Sequence, residues 1–421
     1  MKKCILILSF LLMVLLVIPV SAKTTINVWT GFPELDPFYK WAGAEYSKTN
    51  PNVEVKVLSI SLREFEQKLS TAISSGTGPE VFDVGTYIAI KLIDVGLLPE
   101  NPTDIDAYLK SGPWSDFAVN YVTVKGKTYG IPLMNGSRAA LFYNKTMFKE
   151  AGLDPNNPPK TFPELIEAAK KLTKYDNNGQ VILSGLSLRI SGAGSGITEK
   201  FRFVLHNAGA DLIVPAGNGK WKNGLNNKAG QDALKFYIDA LYKYKVDDHK
   251  VKHDSEAFVT ETTAMFLRES WVINEIKSKN PKLDYGVAPM PSWERSDTLA
   301  QPWSVYMSLD GAKSKEVREF IKFLTSEESA SKLIELSGWI PERNFDSETL
   351  VKETPQYQVF INPPQNLGYY SDPVIPAFDE VQTKVADILV ELFLDEKLVD
   401  NPDGIKKAIE DISKLVDSIL K

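Results

Sequence analysis

Cysteine is nearly absent from this chain: Cys4 is the single thiol among 421 residues. It lies in the N-terminal apolar stretch, so the sequence supports no internal disulfide framework, no cysteine metal site and no dithiol redox centre. An excess of basic charge is missing too. Lys and Arg number 48 against 54 Asp and Glu, a formal net charge of −6. That balance argues against a groove that tracks a phosphate backbone, and nucleic acid is not among the expected partners. Beyond the N-terminus no apolar run approaches the roughly 20 residues that a bilayer-spanning helix needs. Internal repeats with a period of roughly 20–50 residues are lacking, and so are Gly/Ser-rich or Pro-rich linkers.

The one apolar run reads as an export signal. Lys2 and Lys3 precede it, residues 5–20 supply the apolar core with Pro19 near its end, and Val20-Ser21-Ala22 fits a small-residue cleavage site before Lys23. The expectation is a signal peptide over residues 1–22 and a mature chain released to the periplasm or the cell exterior, with an uncleaved anchor as the alternative. Cys4 stands ahead of the apolar run instead of at its end, which makes it a poor lipid-attachment site.

At roughly 150 residues per domain the length suggests two or three domains. Thr25-Ile26-Asn27-Val28-Trp29 alternates as a strand, residues 36–49 have helical spacing closed by Asn50-Pro51-Asn52, and residues 53–57 alternate again. A right-handed strand, helix, strand unit with parallel strands is predicted. A helix over 62–75, a short strand at 81–84 and a helix over 87–95 repeat the logic. Further helices are predicted over 162–174, 231–244, 314–324, 326–336, 374–393 and 402–420. The fold class is α/β. Two domains without a linker imply that the chain crosses between them several times, and a cleft between such lobes is a natural small-molecule site.

Catalytic and metal motifs are weak. Gly192-Ala193-Gly194-Ser195-Gly196 could approach an anion, but no Gly-Lys-Ser/Thr follows, and Ser195 is out of register for a nucleophile elbow. His249 and His253 are four apart, yet they sit among charged residues with no third ligand nearby. Asp176-Asn177-Asn178-Gly179-Gln180 begins like a calcium loop without continuing as one, and an Asx turn accounts for it. No metal and no cofactor are expected. A carboxylate pair for glycoside hydrolysis is set by three-dimensional separation, which the sequence leaves open.

Several stretches, in order, resemble the extracellular solute-binding proteins of ABC sugar importers, the family that includes the maltose-binding protein. They are residues 75–81 with 96–99; Lys125-Gly126-Lys127-Thr128-Tyr129-Gly130-Ile131-Pro132 with Phe142-Tyr143-Asn144-Lys145; Thr161-Phe162-Pro163-Glu164-Leu165; Ser270-Trp271; residues 286–291; and residues 320–327 ending at Gly338-Trp339-Ile340-Pro341. The resemblance covers nearly the whole chain. It implies a periplasmic-binding-protein-like fold of two α/β lobes joined by hinge crossings near Ser137, Pro302 and Gly338. The expected lobes are residues 23–137 with 302–338, and 138–301 with 339–421. It also implies a monomer without catalytic activity that delivers a mono- or oligosaccharide to permease subunits.

Sugars are held by aromatic faces against C–H patches and by planar polar groups on hydroxyls. On that basis, from their places at strand ends and crossings, the expected ligand residues are Trp29, Glu34, Thr86, Tyr87, Asn135, Ser137, Arg138 and Trp303; the resemblance adds Trp271, as the family's stacking tryptophan, and Tyr369 and Tyr370, as an aromatic pair that lines the site in relatives. Where the family has Asp-Gly-Ser-Trp, this chain has Arg268-Glu269-Ser270-Trp271, and Arg138, Arg189 and Arg202 add cations to the same lobe. Those cations make a uronate-containing sugar an alternative ligand; a polyol, glycerol phosphate or oligopeptide on the same fold is another, and a secreted glycosidase is an alternative class.

Overall fold

The computed structural model describes residues 23–192 and 194–421, so the expected signal and Cys4 lie outside the described residues. Alternation over Thr24–Thr30 buries Ile26 and Val28 in a strand. Pro33 then opens a short turn into the helix Asp36–Thr49, whose Phe38, Tyr39, Ala42 and Tyr46 face the core. Val53–Ser59 returns parallel to the first strand, and Val81–Gly85, buried along its whole length, pairs parallel on the other side. This is the predicted strand, helix, strand arrangement. The sheet runs Val53–Ser59, Thr24–Thr30, Val81–Gly85, Pro302–Met307, Ile131–Asn135. Pro302–Met307 is antiparallel to both neighbours, so a strand from late in the chain sits inside the first lobe's sheet.

The second lobe is built on a three-stranded antiparallel sheet with Ala139–Asn144 between Met265–Glu269 and Tyr285–Ala288. Helices Gly196–Asn207, Lys228–Ile238, Phe378–Phe393 and Pro402–Ile419 pack on one another beside it. The chain changes sheet between Asn135 and Ala139 and again between Leu299 and Pro302. A third connection follows the helix Glu327–Ser337, which packs on Asp36–Thr49 and ends at Gly338 in a left-handed conformation (φ 79°). A Cβ at Gly338 would come within 2.9 Å of the Trp271 Cα, so the glycine permits the lobes to touch there. The three connections lie side by side: Gly136 N–H donates to the Gln301 carbonyl at 2.9 Å, and Asn135 N–H to the Ile340 carbonyl at 2.8 Å.

The helix Gly196–Asn207 is absent from the predicted elements. It is buried on nearly every side, from Ile197 and Thr198 through Lys200 to Asn207, so it lacks the apolar and polar alternation from which a surface helix is read.

Candidate ligand cleft between the lobes

The carboxyl ends of the first lobe's parallel strands open onto a cavity of about 380 Å³ between the lobes. Phe32, Glu34, Leu62, Glu66 and Tyr87 line it from the first lobe; Arg189, Ser195, Glu199, Lys200, Arg268, Glu269 and Trp271 line it from the second; Gly136 and Trp339 lie where the chain crosses. Gly31 is needed in the first loop, because a Cβ there would stand 2.7 Å from the Phe65 ring.

Aromatic rings run continuously from one lobe to the other. Phe32 meets Trp303 edge-on at 4.7 Å between centroids and Trp339 at 5.7 Å, and Trp339 in turn lies 6.4 Å from Trp271. Two carboxylates fix the ring orientations on the first lobe's side. Asp83 accepts from Trp303 Nε1 at 3.1 Å and from the Tyr39 hydroxyl at 2.8 Å. Glu34 accepts from Trp339 Nε1 at 3.3 Å. Burial raises the Glu34 carboxyl above its ordinary range, against the pull of its own backbone and the Trp339 indole.

The opposite wall is ionic. Lys200 Nζ pairs with Glu199 at 2.7 Å and with Glu269, while Arg268 pairs with Glu269 Oε2 at 3.0 Å and with Asp254 at 2.5 Å. Arg189 reaches Asp254 at 3.6 Å. Burial alone would raise the Glu269 carboxyl, but the charges of Arg268 and Lys200 override it and hold the group well below the usual range.

Glu34, Tyr87 and Trp271, among the residues expected from sequence, line the cavity. The others do not. Trp303 is 4% exposed and backs Phe32 and Tyr87. Thr86 is buried with its hydroxyl 3.0 Å from that of Tyr306. Ser137 donates to Gln301 Oε1 at 3.0 Å, and Asn135 Oδ1 accepts from the Arg138 backbone N–H. Arg138 itself donates to the Phe360 carbonyl, with its guanidinium 4.8 Å from the Tyr369 ring. Tyr369 is 45% exposed, and Tyr370 stacks on His206 at 3.8 Å. Trp29 faces a different groove with Glu64, Gln67 and Lys68, because the helix Leu62–Ser74 separates it from the cleft. Arg202 is buried against Asp372, leaving Arg189 as the one of the three flagged arginines on the cleft wall. Phe32, Glu66, Glu199, Lys200 and Trp339 are additions to the expected set.

Among the described residues no group of three or more His, Cys, Asp or Glu could hold a metal ion. His249 Nε2 lies 3.0 Å from the Phe393 carbonyl, and His253 Nδ1 lies 3.8 Å from Asp247. Among the described residues no helix is long and apolar enough to cross a membrane.

Buried carboxyls make stability pH-dependent. Burial pushes Asp83 up to about 7 against donors Thr30, Tyr39 and Trp303, and it pushes Asp247 to about 8 and Glu342 to about 7. In the unfolded chain these groups titrate near 4, so the folded state binds protons more tightly and stability rises as pH falls through their folded values. His253, lowered by burial, opposes this below about pH 6.5. The unfolding midpoint should therefore be higher at about pH 6.5 than at about pH 8.5. A midpoint that climbs with pH across that window contradicts the assignment.

Two α/β lobes, three adjacent connections and an aromatic and polar cleft between them define the class of periplasmic-type solute-binding proteins, which close over a ligand by lobe rotation. Residues 31–331 match the family of bacterial extracellular solute-binding proteins, and the chain belongs to that family. It is 23% identical over 402 residues to a putative binding protein of Brucella abortus, covering 91% of this chain and 90% of the relative. It is 24% identical over 347 residues to the multiple sugar-binding protein of Streptococcus mutans, covering 75% and 74%. An ABC transporter solute-binding protein of Thermotoga lettingae bound to α-D-tagatose superposes with a TM-score of 0.78 at 22% identity, covering 95% of this chain and 100% of that one.

Proposed function

We propose that this protein is the exported, ligand-capturing component of an ABC importer, and that it takes a neutral mono- or oligosaccharide into the cleft and presents it, as a monomer, to permease subunits. The observation that carries the reading is the ring series Phe32, Trp339 and Trp271 facing a wall of carboxylates and amines. Flat apolar faces suit the C–H patches of a pyranose, and the flanking groups suit its hydroxyls. The lobes we assign are residues 23–137 with 302–338, and 138–301 with 339–421; residues 1–22 act as the export signal. Ligand contacts are assigned to Glu34, Tyr87 and Trp271 from the expected set, with Phe32, Glu66 and Trp339 added.

Glycerol phosphate and uronates fit less well, because Arg189, Lys200 and Arg268 each already meet a carboxylate. A hydrolytic pair of Glu34 and Glu269 fits less well too: Glu34 accepts from Trp339, and Glu269 is held between two cations. A thermal-shift screen of the chain from Lys23 onward against sugars, polyols, uronates and sugar phosphates tests this. Binding to the native state alone raises the unfolding midpoint, by about 2.7 kcal/mol of stability when ligand is at about 100 Kd. The expected hit is a neutral sugar recovered unchanged; a hit that is consumed, or stabilisation by anions alone, overturns the reading.

A further inference from the structure

We infer that Glu269 sets the charge selectivity of the cleft, neutralising Lys200 and Arg268 so that uncharged sugars enter and acidic ones are refused. The inference rests on the sugar-binding reading above and deepens it.

Both carboxylate oxygens are in use. Oε1 takes the Lys200 ammonium; Oε2 accepts from Arg268 Nη1 at 3.0 Å and from Trp271 Nε1 at 3.3 Å. Lys200 comes from the helix Gly196–Asn207, whereas Arg268 and Trp271 flank Glu269 in sequence, so one buried carboxylate gathers two cations and the candidate stacking ring. Arg268 also lies 5.2 Å over the Trp271 ring and is anchored from behind by Asp254. The cations are therefore spent on the protein before a ligand arrives. An incoming carboxylate or phosphate would have to displace Glu269 or approach it across the same space, and like charges there are costly. A neutral hydroxyl can accept from the remaining N–H groups without that penalty. Arg189, Lys200 and Arg268 meet Glu199, Asp254 and Glu269, so the charge at residue 269 tips this wall between neutral and cationic.

Glu269→Gln keeps an acceptor for the indole N–H and removes the charge. Glucose, galactose and maltose are compared with glucuronate, galacturonate and maltobionate by calorimetry, on wild type and variant at two salt concentrations. The expected result is that wild type binds a neutral member and not its acidic counterpart. The variant should gain about tenfold or more for the acidic member relative to the neutral one, with a gain that shrinks in high salt. A variant that binds the neutral sugar and shows no relative gain overturns the selectivity role while leaving sugar binding intact. If wild type binds none of these sugars nor any other sugar in the thermal-shift screen, it is the sugar reading that fails. Should the variant not fold, Lys200→Gln provides the reciprocal test: with Glu269 left less neutralised, glucosamine should gain relative to glucose, and an unchanged ratio overturns the inference.

Discussion

Replacing Trp271 with alanine should weaken sugar affinity by about 1–3 kcal/mol, a loss of roughly 5- to 150-fold, while the unliganded protein keeps its unfolding midpoint within a few degrees. The asymmetry follows from where the ring sits. Trp271 is half-buried at the start of the helix Val272–Lys279, and the cleft lies against it. Its position is fixed from outside by Glu269 on the indole N–H, by Arg268 over the ring and by Trp339 beside it. Such an anchor loses little rotamer freedom on binding, so most of its contact energy with a sugar face counts toward affinity. Calorimetric Kd values and thermal midpoints for wild type and variant check this together. Unchanged affinity removes Trp271 from the site, and a collapse of the midpoint shows that the ring serves the fold instead.

The same ring shows how far sequence reasoning reaches. Trp271 could be placed because a short motif names it and because it follows directly on a strand, so its register is fixed locally. Glu34 and Tyr87 are legible for a similar reason: each follows the carboxyl end of a parallel strand, where an open α/β sheet puts its ligands. Trp29 and Thr86 stand equally near those strand ends, yet Trp29 points past the helix Leu62–Ser74 and Thr86 turns into the core. Proximity in sequence gives position along the strand but not the direction of the side chain once a helix packs over it. Trp303 is placed in a more informative way. It belongs to the arc of rings, but as the layer behind Phe32, with its indole tied to Asp83. An aromatic that supports the binding surface and one that forms it have the same sequence signal.

The ionic wall was the least legible part. Glu199 and Lys200 sit on a helix that buries nearly all its faces, so neither period nor polarity announces it. Arg268 and Glu269 stand out only as a departure from a family motif, and on sequence alone the cations leave an acidic sugar as an alternative behind a neutral one. Pairing of those cations weakens that alternative. A cation's meaning for a ligand depends on whether a carboxylate from another segment reaches it first, as Asp254 reaches Arg189 and Arg268 and as Glu269 reaches Lys200.

Arg202 carries this argument into the core. Three residues beyond Glu199 on the same helix, it is buried: Nη1 donates to Asp372 Oδ1 at 2.5 Å and to Gln382 Oε1 at 3.3 Å, between the rings of Tyr370 and Phe378. Asp372→Ala should therefore destabilise the protein by about 3–5 kcal/mol, because it strands a guanidinium in an interior with one neutral acceptor left. For a chain of this length unfolding as one unit, that is a drop of about 4–6 °C in midpoint. Arg202→Met/Asp372→Val, which removes both charges at nearly the same combined volume, should recover most of the loss, since a buried pair is expensive to break and cheap to replace. If the single and double variants fall equally, the packing of these side chains matters and their pairing does not. The single variant should also bind sugar more weakly than its lost stability alone explains, because the helix that Arg202 anchors is the one that carries Lys200 to Glu269.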